Sequence, residues 1–261
     1  MGMVLKILIF TGLLGFFCTT RVSEWVLLNH VPEDYLLVYY SAKETGNEVK
    51  TANKAAFSKM NTANIQFREI RNENTKEPYY ALYHQKRTVR NYASISEMAS
   101  LTSSPLREKI AKEIMDGKLC VMLLLASGNE EKDIKSSMTI KKALDASPFK
   151  SVITYAELKK NSPGEAQFVA MLLNVEEDLK DLDEPMLYGI FGRFRALEPL
   201  VAGGISGENI GYMIQFLTAD CSCLIKDDLP GVDMLFTNDW ENPAPALVNK
   251  ILDENPSLQH R

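Results

Sequence analysis

The chain has 261 residues, of which 46% are apolar, 24% charged and 9% aromatic, a balance that excludes a disordered tail, a collagen-like repeat and a polytopic membrane protein. A net charge of −5 at pH 7 leaves no general basic field to hold nucleic acid, and four cysteines are too few for a disulfide scaffold. The length suits one large domain or two small ones, either able to bury a core.

Residues 1–20 contain Lys6 and then an apolar run from Ile7 to Phe17. A basic start followed by about 7–15 apolar residues has the build of a signal peptide. As a helix this run spans about 16 Å, short of a roughly 30 Å hydrocarbon core, although counting back to Met1 lengthens it and leaves an uncleaved, tilted anchor open. Cys18-Thr19-Thr20 is a moderate cleavage site, and Phe17 stands where lipoprotein processing at Cys18 wants a small residue. A buried N-terminal helix is the plain alternative. The expectation is export to the periplasm or cell envelope, with membrane contact only through residues 1–20 and an oxidising compartment around the rest.

From Trp25 onward strands and helices alternate. Residues 34–41 form a continuous apolar run bounded by Pro32 and by Lys43-Glu-Thr-Gly-Asn47, which predicts a buried strand. Val49, Ala52, Ala56, Phe57 and Met60 fall near one helical face, and residues 65–70 alternate as a half-buried strand does. Glu77-Pro78 introduces a strand over 79–83, then a turn at 85–87 and a strand over 88–92. Ser104-Pro105 opens a helix that Gly117 stops.

The order then begins again. Residues 119–126 read as a strand, Ser127-Gly-Asn-Glu-Glu-Lys as the start of a helix running to about Ala146, and residues 167–174 as the next strand. Glu184-Pro185 leads into a strand over 186–191, a turn at Gly192-Arg-Phe-Arg195 and a return run to Val201. Ser206 caps a helix through Leu217. Set side by side, Glu77-Pro-Tyr-Tyr-Ala-Leu-Tyr and Glu184-Pro-Met-Leu-Tyr-Gly-Ile read as two copies of one element, the alternative being two ordinary units alike by chance.

Strand, helix, strand, then a proline introducing a hairpin and a last helix resembles the thioredoxin fold. The resemblance implies an α/β chain of two tandem thioredoxin-like repeats, mixed sheets flanked by helices, at 25–117 and 118–240, with residues 241–261 as a tail. It also implies cis bonds at Pro78 and Pro185. The Cys-x-x-Cys of that family is missing from both expected places, Ser41-Ala-Lys-Glu-Thr-Gly and Ala126-Ser-Gly-Asn-Glu, so disulfide reductase activity from those loops is not expected. Residues 104–110, 123–128, 191–197 and Cys221-Ser-Cys…Pro230-Gly-Val-Asp233 are in addition similar to an uncharacterised group of exported bacterial proteins, with which no activity is associated.

The remaining candidate chemistry is Cys221-Ser-Cys223, read as the start of a hairpin that turns at 229–231. On a strand, positions i and i+2 share a face. The pair then suits a soft metal, a strained and easily reduced disulfide, or simple packing under the hairpin. The three histidines, His30, His84 and His260, show no metal-ligand spacing. Arg193 and Arg195 on the second turn could grip an anion or a partner carboxylate, or point into solvent. The reading that results is a non-catalytic binding or assembly module of the cell envelope, with no cofactor and a protein partner. The alternative is a thiol–disulfide or metal-handling protein working through Cys221 and Cys223.

Overall fold

The computed structural model describes residues 20–221, 228–240 and 249. It is an α/β structure with two mixed sheets flanked by helices. The first sheet contains β1 (Tyr35–Ser41), β2 (Ile65–Arg71), β3 (Tyr79–His84) and β4 (Arg87–Tyr92) in the order β2-β1-β3-β4. The second contains β5 (Cys120–Ala126), β6 (Ile153–Lys159), β7 (Met186–Phe191), β8 (Arg195–Ala196), β9 (Leu200–Val201) and β10 (Val232–Asp233), in the order β10-β8-β7-β5-β6 with β9 also on β7. In each sheet the first two strands pair parallel, and the third and fourth add antiparallel.

The helices are α1 (Val22–Asn29), α2 (Asn47–Ser58), α3 (Pro105–Met115), α4 (Glu130–Ala146), α5 (Ala166–Leu172) and α6 (Gly207–Thr218). Their ends follow local chemistry. Pro105 occupies the first turn of α3, the Ser206 hydroxyl accepts from the Asn209 amide at the start of α6, and the Asn129 side chain does the same for Lys132 at α4. The β3–β4 turn puts Gln85 and Lys86 at φ 48° and 65°, the left-handed pair that matches a two-residue hairpin to strand twist.

Strand β5 organises the packing, because all seven of its residues are buried. Val121, Leu123 and Leu125 point into a core shared with Leu37 and Leu82 of the first sheet and Phe168 of α5. Cys120, Met122 and Leu124 point the other way, against Val22 and Val26 of α1, Ile140 of α4 and Leu217 of α6. A strand buried on both faces reads as a continuous apolar run, as 119–126 does.

Several expectations are corrected. Residues 167–174 are largely helix α5, not a strand. A short apolar run is ambiguous between a strand and a fully buried helix, and Ala, Gln, Met and Leu favour the latter. The strand that pairs with β5 is instead residues 153–159. The return run to Val201 is broken into β8 and β9, separated by a loop at 197–199. Among the described residues no peptide bond is cis, so Pro78 and Pro185 are both trans. Each leads straight into an extended strand, with Tyr79 paired to Tyr40 and Met186 to Leu125, and a trans bond keeps that direction without a turn.

Residues 228–240 leave the second sheet and run onto the first. β10 pairs with β8, then Thr237 bridges to Ala63 and its amide donates to the Thr102 carbonyl (2.7 Å). Asn64 joins in, its Nδ2 donating to the Met234 carbonyl (3.4 Å) and its Oδ1 accepting from the Phe236 amide (3.2 Å). Arg107 of α3 pins the same segment. Its guanidinium is fully buried and donates to Ser104 Oγ (2.9 Å), to the carbonyls of Leu101 (2.9 Å) and Leu235 (3.0 Å), and to that of Ser100. Burial lowers its pKa to about 10 against the pull of Glu165, which leaves it charged at neutral pH.

Candidate functional site

The loops that follow β1 and β5 lie where a thioredoxin-like chain would carry its chemistry, and both are engaged with themselves. After β1, the Ser41 hydroxyl donates to the Lys43 carbonyl (2.6 Å). After β5, the Asp133 carboxylate accepts from the Ser127 amide (2.8 Å), the Ser127 hydroxyl (2.8 Å) and the Gly128 amide (2.9 Å). Two of the loop's amides, those of Ser127 and Gly128, are therefore already taken by a side chain of α4, and the Lys132 amide by Asn129.

Of the proposed cysteine pair, Cys221 is buried just beyond α6, with its amide donating to the Thr20 carbonyl (2.8 Å). Cys223 lies outside the described residues. Cys120 occupies the same hydrophobic cluster as Cys221, and burial pushes its thiol up to about 12, which makes it unreactive as a nucleophile at neutral pH. Among the described residues, no group of three or more His, Cys, Asp and Glu side chains is placed to hold a metal ion.

Arg193 and Arg195 are neither solvated nor open to a ligand, since both are only 6% exposed. Arg193 donates from Nε to the Leu27 carbonyl (2.8 Å) and from Nη2 to that of Leu28 (3.2 Å), closing the C-terminal end of α1. Arg195 donates to the carbonyls of Pro230 (2.9 Å) and Leu229 (2.7 Å). Helix α1 and the segment at 229–233, neither anticipated as a partner, turn both guanidinium groups inward.

Arg195 also enters a polar cluster that the sequence does not announce. Its Nη1 lies 2.9 Å from Asp233 Oδ2, an ion-pair contact without the angle of a directed hydrogen bond. Asp233 is completely buried, and it accepts from His30 Nε2 at 3.0 Å on each oxygen and from the Glu33 amide at 3.0 Å. Burial alone would raise its pKa, but the His30 hydrogen bond, the Arg195 charge and the Glu33 amide together hold it below the ordinary carboxylate value. The Tyr35 hydroxyl donates to the Asp233 carbonyl (2.9 Å), and the His84 ring stacks on Tyr35 at 4.1 Å. His84 Nε2 is buried without a hydrogen bond, 3.5 Å from Glu33 Oε2. Thus His30 and His84, far apart in sequence, enter one cluster, His30 against Asp233 and His84 beside Glu33. Through Asp233 the cluster joins residues 228–240 to His30, Glu33, Tyr35 and Arg195.

Among the open clefts of the described residues, two bear on binding. One, of about 570 Å³, is lined by Gln85 and Arg87 at the β3–β4 turn, by Leu197 and Glu198, and by Tyr212 and Phe216 of α6. The other, of about 680 Å³, is an apolar groove between α4 and α6, bordered by Ala143, Ala146, Phe149, Gly207, Gly211 and Ile214. Beside it Ile134 and Met138 of α4 are 51% and 67% exposed. No family model matches the chain, and no curated protein is similar to it.

Proposed function

We propose that the chain is a non-catalytic binding or assembly module of the cell envelope, exported or anchored through residues 1–20 and built from two thioredoxin-like units. What supports the fold reading is the shared strand order, β2-β1-β3-β4 beside β6-β5-β7-β8, with the same strand senses in both sheets. The units are not equivalent. Helix α5 joins β6 to β7, whereas β2 reaches β3 through the loop at 72–78 with no helix. The observation that carries the functional reading is the loop after β5, whose Ser127 and Gly128 amides are taken by Asp133 and whose residues include no nucleophilic thiol. A protein partner in the envelope fits a module of that kind.

The second reading, thiol–disulfide exchange or soft-metal handling, rests on Cys221-Ser-Cys223 in an oxidising compartment. The two separate in one experiment. Full-length protein is assayed for reduction of a mixed disulfide, and for copper and zinc content, beside a Cys221→Ser, Cys223→Ser double variant. The binding-module reading expects no turnover and no stoichiometric metal in either protein. Turnover or metal that disappears in the double variant overturns it in favour of the cysteine pair. Cell fractionation of the tagged chain tests the location, and recovery in the cytosol overturns export.

A further inference from the structure

On the exposed face of α4, apolar side chains and charges of both signs fall in a single line. Glu131 and Lys142 are eleven residues apart, about three helical turns and 16 Å, so both lie on the stripe that carries Met138. Ile134 and Lys135 flank that stripe, and all five side chains are exposed. The neighbouring charges have work elsewhere on the chain. Lys132 pairs with Glu184, Lys141 lies near Glu157 and over the Tyr155 ring, and Asp133 caps the loop before the helix. Among the described residues, no ion pair engages Glu131, Lys135 or Lys142.

We propose that this face is the interface of a two-fold homodimer in which α4 packs antiparallel on α4 of a second copy. A two-fold axis midway between positions 131 and 142 sets Glu131 of each protomer opposite Lys142 of its partner, giving two ion pairs at the ends of the contact. The same register places Met138 of the two copies near the axis, each opposite the apolar stem of the other copy's Lys135, and Ile134 opposite Thr139. The acidic first turn of one helix then meets the basic last third of the other, and the two helix dipoles oppose. A second copy supplies both charge partners from the same stripe, its Lys142 to Glu131 and its Glu131 to Lys142. An anionic lipid surface matches it less well, since Glu131 lies on the same line and the chain is acidic overall.

The test is sedimentation equilibrium of the full chain in mild detergent. The expected result is a dimer that Glu131→Lys weakens roughly tenfold, through two attractions turned to repulsions, and that Glu131→Lys with Lys142→Glu restores. Ile134→Asp with Met138→Asp is expected to give a monomer. These positions are exposed, so thermal melts of the variants check that the fold is intact. A monomeric wild-type protein overturns the proposal, as does a dimer indifferent to all three variants, which would be held by another surface. Failure of the charge swap to rescue overturns the antiparallel register. Binding of the wild type, but not the Ile134→Asp, Met138→Asp variant, to anionic vesicles in place of self-association would give the face to lipid. None of these outcomes depends on whether the chain is exported or catalytic.

Discussion

Replacing Asp233 by Asn removes one negative charge from a place where only donors converge: His30 Nε2, Arg195 Nη1 and the Glu33 amide. At 2.9 Å and an effective dielectric of about 20, the Arg195–Asp233 attraction is about 6 kcal/mol. Desolvating the two groups on folding offsets several kcal/mol of that. The Asn side chain is the same size and keeps one acceptor oxygen, but its NH2 faces a donor where Asp233 has its second oxygen. The expected net loss is about 3 kcal/mol, at the lower end for breaking a buried pair, because the Leu229 and Pro230 carbonyls still hold Arg195. Against a total of about 5–15 kcal/mol that is large. The assay is urea unfolding at pH 7, with amide exchange followed at Phe236 and Thr237, whose hydrogen bonds to Asn64 and Thr102 secure the same segment. Because the folded carboxyl titrates below its unfolded value, its contribution is complete above that value and is lost as pH falls through the folded one. The gap between variant and wild type therefore narrows below about pH 4. A loss under about 1 kcal/mol, or exchange unchanged at 236 and 237, would show that the carboxylate does not hold this segment.

Two glycines are expected to respond oppositely to alanine. Gly231 has φ +98° and an added Cβ would stand 2.5 Å from the Ala196 carbonyl oxygen, so Gly231→Ala should lower the melting temperature; no change would mean that the β8–β10 contact is looser than described. Gly211 lies inside α6 with open space around its Cβ position, so Gly211→Ala should raise stability by about 0.5–1 kcal/mol, measured in the same urea titration. His84 has its pKa lowered by burial, with Arg87 and Arg195 adding to that against Glu33 and Asp233. A histidine of that kind favours the fold fully above its unfolded pKa, near 6.5, and costs stability as pH falls below it. Melting temperatures between pH 7 and pH 5 should therefore fall less steeply in His84→Gln than in the wild type, and parallel slopes would refute the assignment.

The first sheet and strands β5 and β7 of the second were legible because β1, β2, β3, β4, β5 and β7 each carry an apolar run or an alternation bounded by turn residues, and Ser104-Pro105, Asn129 and Ser206 mark helix starts, whereas β6 was not anticipated. Residues 166–172 were not, since AQFVAML carries no period that tells a buried helix from a buried strand. Helix α1 hid behind the apolar leader, its Val22 and Val26 being covered by β5, α4 and α6, about one to two hundred residues later in the chain. Arg193 and Arg195 illustrate the limit most clearly. Two arginines on a hairpin turn look solvent-facing in any local reading, and only the return of residues 229–233 encloses Arg195. The same return assembles His30, Arg195 and Asp233, whose spacing in the chain carries no pattern to detect.

The path of residues 228–240 also bears on when this protein can fold. The first sheet lies early in the chain, yet Ala63 bridges to Thr237, Tyr35 bonds to Asp233 and the Arg107 guanidinium finds its last carbonyl at Leu235. A nascent chain that has made residues 20–117 holds β1 to β4 with a buried cation and a tyrosine hydroxyl still lacking these acceptors. Such early structure is weak, and contacts across so many residues close slowly. The first sheet therefore gains its full set of hydrogen bonds only once residues 233–237 have been made, so its completion comes late in the life of the nascent chain.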